Sequence, residues 1–370
     1  MNDNFFISKA IDLATKGKFN TKPGVNVGSV IVKNEKIIGQ GFYENFGGRH
    51  AEINAINDVK KRYKKNFSSQ ISGSEIYITL EPCSKKGKTG ACVEELKKYD
   101  FKRIIIGSED PTQNGLEKLR KAGYKVKNLN DQRCIDLNKG FLHKAKLKRP
   151  FIRAKVAISA DSKSVFLSKK RKWITGMPAR NDVQYLRAES DIILTGAGTI
   201  NEDVPSMNVR LKKILAHKGF SQPKRYVFSK NLILDWNAPF FELPGQKVVV
   251  TSKRSLPKFA RNIRNLSLLN CKSYGQFLDP KNFVEKISKL PVNNILLESG
   301  PNLFSSFVDH DLIDEIIFYM SPEKLGKQAE YFYNGRKKIN FFDNKQFDIV
   351  EKTLVGKDKK ITLRKKIKWI

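Results

Sequence analysis

The stretch from His50 to Cys92 constrains this chain more than any other. It reads His50-Ala51-Glu52, then Leu80-Glu81-Pro82-Cys83, then Cys92. One imidazole and two thiolates are three ligands for a tetrahedral Zn²⁺. A fourth position left to water marks a catalytic centre and not a structural one. Glu52 follows His50 by two residues, close to such a metal without being needed as a ligand. A carboxylate there can take a proton from the water and hand it to a substrate.

His-x-Glu followed by Pro-Cys and a second Cys is the zinc deaminase pattern, whose usual form is Pro-Cys-x-x-Cys. Here eight residues, Ser84 to Ala91, separate Cys83 from Cys92. Zinc requires only that both thiolates reach it, so a loop can bulge between them, and Gly and Lys suit a loop over an anionic ligand. With that insert the stretch resembles the deaminase half of the bifunctional riboflavin-biosynthesis family, the pyrimidine deaminase/reductases. The resemblance implies Zn²⁺ on His50, Cys83 and Cys92, with Glu52 as proton shuttle. It also implies substrate contacts at Asn26, within Asn26-Val27-Gly28, and at Lys88. The chain departs from the family at Lys85, where a His is usual, and at Gly90-Ala91, where Pro-Pro is usual. It is also shorter after Asp110-Pro111.

The surrounding pattern predicts an α/β fold. Apolar residues at helical spacing predict a helix over 3–16, closed at Gly17. Val27–Val32 and Ile37–Phe42 read as strands around a Lys33–Lys36 turn. His50 opens a helix, Glu75–Leu80 is a strand delivering Cys83, and a short helix over 91–98 carries Cys92. Arg103–Gly107 is a strand, Leu116–Ala122 a helix, Tyr124–Val126 a last strand, and Asp131–His143 one further helix. Two antiparallel strands followed by helix–strand alternation give a three-layer α/β/α sandwich. The expected boundary lies near Lys148-Arg149-Pro150, with domains at 1–146 and 147–370.

In the second half, strands are expected at Phe151–Ser159, Asp191–Thr195, Tyr226–Ser229, Val248–Thr251, Asn294–Glu298, Glu315–Tyr319 and Lys360–Leu363. Helices are expected near 178–189 and 303–308. Two strands run into glycine turns, Gly196-Ala197-Gly198-Thr199 and Ser299-Gly300-Pro301-Asn302, where backbone N–H groups can meet phosphate. No Gly-x-Gly-x-x-Gly fingerprint is present, so a Rossmann domain is not supported. The order of pieces resembles the reductase half of the same family, with a fold like dihydrofolate reductase. This likeness rests on Lys172–Thr175, Leu186-Arg187-Ala188, Ile193–Gly196, Thr199 through Arg210 and Leu297–Pro301. By position it implies NADPH contacts at Ala157, Trp173, Thr199, Asp203, Ser229, Gly300, Pro301, Asn302, Leu303, Phe304, Ser305 and Ser306. Substrate contacts are implied at Arg171, Arg187, Met207, Arg210 and Glu298, with Arg187 and Arg210 able to fork onto a ribose phosphate. Ser159-Ala160-Asp161-Ser162 replaces the usual Ser-Leu-Asp-Gly, and Arg171 replaces a small residue.

The implied activity is zinc-dependent deamination of a phosphoribosylated diaminopyrimidine, followed by NADPH-dependent reduction of its ribosyl group. Composition bears on partners. The net charge is +33, from 70 Lys and Arg against 37 Asp and Glu. That field favours anions, either phosphorylated small molecules or nucleic acid. The lysines are dispersed and no RNA-recognition motif is visible, so nucleic acid is not expected. The alternative from another class is a tRNA-type nucleic-acid deaminase with a basic RNA-binding second domain. No run of 18 apolar residues suggests a membrane span. The N-terminus lacks signal-peptide features. Four cysteines, two of them given to the metal, fit a cytoplasmic protein, with Cys134 and Cys271 read as small buried hydrophobes. A homo-oligomer is compatible with the sequence.

Overall fold

The computed structural model describes residues 2–85, 90–166, 173–343 and 345–366. The chain forms two compact units, residues 1–148 with 217–221, and residues 149–216 with 222–370.

In the first unit, helix α1 (Asp3–Lys16) starts at Asn2, whose side-chain oxygen accepts the Phe5 N–H at 3.2 Å. This satisfies one of the donors that a helix start leaves unpaired. Strands β1 (Gly28–Lys33), β2 (Lys36–Phe42), β3 (Glu75–Ile78), β4 (Arg103–Ile106) and β5 (Val126–Asn128) form a sheet ordered β2-β1-β3-β4-β5. β1 is antiparallel to β2 and β3, and β3, β4 and β5 are parallel. Period-two alternation divides their side chains. Val30, Val32, Tyr77 and Ile105 face Phe6 and Leu13 of α1. Ile31, Ile76, Ile78, Ile104 and Ile106 join the opposite core. That core holds Ala51, Ala55, Ile56 and Val59 of α2 (Ala51–Tyr63), with α3 (Phe67–Ile71), α4 (Cys92–Leu96) and α5 (Gly115–Lys121). Each such Ile or Val contributes about 1.5–3 kcal/mol on burial. Burial on both faces of the sheet is what makes three layers. Glycine is needed where α1 and α2 touch the sheet. A Cβ on Gly28 would lie 1.9 Å from the Ala10 carbonyl oxygen, and one on Gly41 2.3 Å from that of Ala51.

The helix expected over 131–143 is two helices, α6 (Gln132–Leu137) and α7 (Lys139–Leu147). Asn138 leaves helical geometry between them at φ −123°. Its side chain accepts the Asn26 N–H at 2.7 Å and donates to the Asn26 carbonyl at 2.9 Å. A side chain that can replace backbone hydrogen bonds interrupts the helix.

The second unit is built on a nine-stranded sheet among the described residues, ordered β11-β10-β9-β8-β14-β6-β15-β18-β17. Its strands are β6 (Phe151–Ile158), β8 (Ile192–Gly196), β9 (Lys224–Phe228), β10 (Lys247–Thr251), β11 (Leu266–Asn270), β14 (Asn294–Leu297), β15 (Glu315–Met320), β17 (Phe347–Val355) and β18 (Asp358–Lys365). The run from β11 to β15 is parallel, and the β17–β18 hairpin adds antiparallel strands at one end. Two short antiparallel pairs stand apart, β7 (Lys163–Phe166) with β16 (Ala329–Tyr331), and β12 (Ser273–Tyr274) with β13 (Phe277–Leu278). The helices are α8 (Met177–Glu189), α9 (Ala197–Asp203), α10 (Lys212–Leu215), α11 (Pro239–Glu242), α12 (Pro280–Ser288) and α13 (Pro301–Asp309). The arrangement is the dihydrofolate-reductase-like α/β fold that the order of pieces implied.

Arg103 ties the first unit's layers electrostatically. Its guanidinium meets both Glu75 oxygens at 2.9 and 2.8 Å, and Asp3 at 3.1 Å. Asp3 also accepts from Tyr77 and Lys127. Burial raises the Glu75 and Asp3 carboxyls, but these contacts outweigh it and hold both below the usual carboxylate values. Arg103→Met should therefore cost about 3 kcal/mol at neutral pH, since Glu75 stays buried and loses its partner. A lowered native pKa stabilises above the unfolded value, about 4, and that stabilisation is lost as pH falls through the native value. In urea titrations the gap between parent and variant should narrow below about pH 4. A gap that stays constant into stronger acid would contradict this account.

Candidate active sites

The first site assembles where β2 and β3 give way to loops. His50 is the N-cap of α2, extended at φ −70°, ψ 160°, and so precedes the helix instead of lying within its first turn. Cys83 lies on the loop after β3, and Cys92 is the first residue of α4. Nδ1 of His50 is 3.1 Å from Cys92 Sγ and 3.5 Å from Cys83 Sγ. One ligand atom from each residue lies within 4.8 Å of the others. A tetrahedron with ordinary Zn–S and Zn–N bonds has edges of about 3.5–3.8 Å, so these donors fit zinc. The charges argue the same way. Hydrogen bonding from Cys92, and then from His50, pulls the Cys83 thiol down to about 4. The same contact, with burial, pushes the Cys92 thiol up. Two thiolates at this spacing need a cation between them.

Glu52 sits in the first turn of α2 and is only 3% exposed. Burial raises its carboxyl, against the pull of its own backbone N–H and of His50. The Tyr43 ring packs edge-on against His50 at 5.5 Å. Glu81 is a residue the sequence reading passed over. Its buried carboxylate accepts the N–H groups of Asp110 and Leu116, both at 3.0 Å. It thereby ties the Cys83 loop to the next strand's loop and to α5. Its position in Leu-Glu-Pro-Cys was the available signal. Asn26 is half-buried, donates to the Leu137 carbonyl at 3.2 Å and accepts from Thr21 at 2.9 Å. It retains one further donor and acceptor for a ligand. Lys88 lies outside the described residues.

The second site lies at the C-terminal edge of the parallel strands, the usual ligand crevice of such sheets. Glu298 follows β14 and is 7% exposed. Arg187 of α8 grips it with two prongs, Nε–Oε1 at 2.6 Å and Nη2–Oε2 at 2.9 Å. Arg187 also donates to the Asn208 carbonyl at 3.0 Å and touches the Met207 sulfur. The guanidinium expected to fork onto a ribose phosphate forks here onto Glu298. Its fork is already closed on Glu298, and it orders the loop that carries Met207. Arg210 is exposed, linked to Ser206 and Asn208, with its N–H held by Gln184 at 2.7 Å. Lys155 was missed. It shares the half-buried face of β6 with Ala157, and burial lowers its ammonium pKa against the charge of Glu298. Two cations, Arg153 and Lys155, on one face of a strand otherwise built from apolar residues were its signal.

The implied cofactor residues divide. Ser229 is buried at the end of β9, Thr199 is half-buried on α9, and Asp203 is exposed at its end. Trp173 is 52% exposed and stacks on the Arg180 guanidinium at 4.6 Å. Gly300 caps α13 without any side-chain cap, and Pro301 opens that helix. Asn302 and Ser305 both bond to Asn334. Ser306 is half-buried, and Leu303 packs beside Gly196. Phe304 is 2% exposed, with its ring in the core against Phe332, Tyr333 and Phe341, which leaves its backbone for the implied contact. Arg171 lies outside the described residues. Two buried hydroxyls, Thr195 at the end of β8 and Ser299 after β14, have no hydrogen-bond partner among the described residues. Orphaned hydroxyls beside an uncapped helix start fit a polar, phosphate-bearing dinucleotide such as NADPH.

Comparison with known proteins bears on each unit. The family described as RibD C-terminal domain matches residues 150–356. The cytidine and deoxycytidylate deaminase zinc-binding region matches residues 1–108. The riboflavin biosynthesis protein RibD of Buchnera aphidicola subsp. Baizongia pistaciae is 36% identical over 380 residues, covering 99% of each chain. The solved RibD of Acinetobacter baumannii is 30% identical with a TM-score of 0.86, covering 99% of each chain. A Thermotoga maritima structure is described as a diaminohydroxyphosphoribosylaminopyrimidine deaminase/5-amino-6-(5-phosphoribosylamino)uracil reductase. It is 26% identical with a TM-score of 0.85, covering 98% of each chain.

The donor set makes a direct prediction about metal. Purified protein should hold about one zinc per chain. Cys83→Ser should lose most of it, because a neutral hydroxyl is a poor zinc ligand. Elemental analysis that finds full zinc in the variant would remove Cys83 from the site.

Proposed function

Because this chain belongs to the RibD family of riboflavin biosynthesis proteins, which join a zinc-dependent deaminase to an NADPH-dependent reductase, we propose that residues 1–146 carry the deaminase and 147–370 the reductase. The observation that carries the division is the pairing of two unlike sites in one chain. A His/Cys/Cys cluster with a buried glutamate lies in one unit, and a parallel-sheet crevice around Arg187–Glu298 lies in the other.

The first reaction is hydrolytic deamination of 2,5-diamino-6-(5-phosphoribosylamino)pyrimidin-4-one. Zinc held by His50, Cys83 and Cys92 supplies the Lewis acidity that makes water a nucleophile at neutral pH. Glu52 takes one proton from the attacking water and passes it to the ring nitrogen, then takes the proton of the newly added hydroxyl and passes it to the amine, which leaves as ammonia while the ring carbonyl forms. Asn26 offers its remaining donor and acceptor to the pyrimidine edge. Glu81 keeps the Cys83 loop in place.

The second reaction reduces 5-amino-6-(5-phosphoribosylamino)uracil to its ribityl product. NADPH supplies the hydride. Glu298 is oriented by Arg187 so that its carboxylate and the Lys155 ammonium face the same crevice. Arg210, exposed beside that crevice, presents its guanidinium to the substrate phosphate. Nucleic acid is not a partner in this reading, and the RNA-deaminase alternative leaves the reductase-type half without a purpose. Four free cysteines fit a reducing cytoplasm. Among the described residues no helix is long and apolar enough to cross a membrane.

Two experiments test these roles. Glu52→Gln should lower deamination by about two to four orders of magnitude, while reduction of supplied deaminated intermediate continues. Loss of both activities would make Glu52 a folding residue. In the second half, Arg210→Ala should raise the reductase KM for the phosphorylated substrate with little change in melting temperature or NADPH affinity. Arg187→Lys should lower both kcat and melting temperature, since one ammonium cannot replace a fork closed on buried Glu298. If the two variants behave alike, with KM effects only, Arg187 is a phosphate ligand after all.

A further inference from the structure

Beyond the nicotinamide-bearing half of the crevice, the geometry points to Lys253 and Arg254, backed by Lys230, as the residues that read the 2′-phosphate of the cofactor's adenosine ribose. The inference rests on the reductase reading of the second unit.

Direction comes first. The reacting end of the site is at β14 and β6, where Glu298, Arg187 and Lys155 meet. On the far side of β6 lies β15, and beyond it the antiparallel β18 and β17. Only the other side, β8, β9 and β10, offers successive C-terminal strand ends on the crevice edge. Strands sit about 4.8 Å apart, so β10 is about 14 Å from β14. An extended dinucleotide that starts at β14 and passes the α13 start therefore brings its adenosine to the ends of β9 and β10.

What stands there is charged in one sense. β9 ends in Phe228-Ser229-Lys230, and β10 in Thr251-Ser252-Lys253-Arg254-Ser255. The neighbouring β11 runs into Asn270-Cys271-Lys272. None of these segments contains a carboxylate. The charge rule seen in Rossmann sheets, where an acid holds a free 2′-hydroxyl and a cation accommodates a 2′-phosphate, rests on charge and not on that fold, so cations without a nearby acid favour the phosphate here too. The segments are also tied together. Thr251 and Ser252 hydroxyls donate to the Lys230 carbonyl at 2.7 and 3.2 Å. The Asn270 amide donates to the carbonyls of Ser252 and Lys253 at 3.3 and 3.2 Å. Lys230 spends its ammonium on a neutral carbonyl, that of Gly275, at 2.8 Å. Lys253 and Arg254 are exposed, and among the described residues neither makes an ion pair. A phosphate monoester would receive charge-assisted hydrogen bonds from a braced backbone.

The test is binding, measured by calorimetry on the full-length protein with adenosine 2′,5′-bisphosphate and adenosine 5′-monophosphate, and by fluorescence with NADPH and NADH. The double variant Lys253→Ala/Arg254→Ala should weaken the bisphosphate by about 30-fold. The monophosphate and NADH should change by less than about twofold, the signature of a loss confined to one phosphate. Arg254→Lys should recover part of the loss. Both positions are exposed, so the melting temperature should be unchanged. An undiminished preference for the bisphosphate in the double variant would overturn the assignment while leaving the reductase reading in place. Failure of the parent protein to bind NADPH at all would overturn that reading, and this inference with it.

Discussion

Two buried glutamates, each leaving the end of a parallel strand, hold the loops on which both sites depend. Glu81 follows β3 and accepts two backbone N–H groups, from Asp110 and Leu116. Glu298 follows β14 and closes on the Arg187 guanidinium. The requirement is general. A carboxylate taken out of water must be met by charge or by several N–H donors, or it costs several kcal/mol. At the end of a parallel strand, adjacent loops leave on the same side, so the donors can come from a neighbouring loop. Satisfying the glutamate then fixes one loop against another. In the first unit this positions the loop carrying Cys83. In the second it positions the Met207–Arg210 segment against β14. The carboxylates differ in availability, because Glu81 is spent on backbone while Glu298 keeps its charge beside Lys155.

That distinction separates what could be read in the sequence from what could not. The His50, Cys83 and Cys92 spacing was legible because zinc chemistry demands particular side chains, and few other reasons assemble them. The strands around them were legible because isoleucine and valine runs bounded by turns have one economical use, burial between layers. Arg187 was legible as important, through its place in Leu-Arg-Ala, but not as a partner of Glu298. The pair is separated by 111 residues, and its attraction is visible only when α8 and β14 are packed. Phe304 shows the reverse: its place after a glycine turn was legible, but the burial of its ring against Phe332 and Phe341 was not. A glycine turn before a helix draws attention to every residue after it, whereas helical periodicity sends only some of them toward the crevice. β17 was passed over because its residues are mostly exposed on both faces, leaving no apolar alternation to read. The local signal was the two-residue turn into β18, with Gly356 at φ +66°. A glycine at positive φ in the first turn position suits a tight hairpin.

The high positive charge also resolves into parts. Some cations have structural work: Arg103 with Glu75 and Asp3, Arg149 with Asp314, and Arg153 with Glu315. Glu75, Asp314 and Glu315 are buried, and the arginines mostly so. Others, such as Lys121 with Glu117 and Lys289 with Glu285, are exposed helix pairs of the kind that contribute a few tenths of a kcal/mol. Arginine dominates the first group, as expected where planar, two-pronged contact with a carboxylate is needed. Lysine dominates the solvated remainder. The sum of +33 therefore describes the surface more than the sites.

For the sites, local sign matters more than total charge. In the proposed reduction a dinucleotide and a sugar phosphate both bring anions into one crevice, and Glu298 would repel them if it stood alone. Arg187 neutralises it through a bidentate contact, and Lys155 adds a further positive charge beside it. The carboxylate can thus remain in the crevice without turning its field negative. Burial opposes the ionised form of Glu298, but the attraction of Arg187, followed by that of Lys155 and Arg210, holds its carboxyl below the usual value. The glutamate is consequently kept charged by the groups it orders. A substitution that weakened Arg187 would alter three properties together: the protonation of Glu298, the placement of Met207, and the sign of the field met by an incoming phosphate.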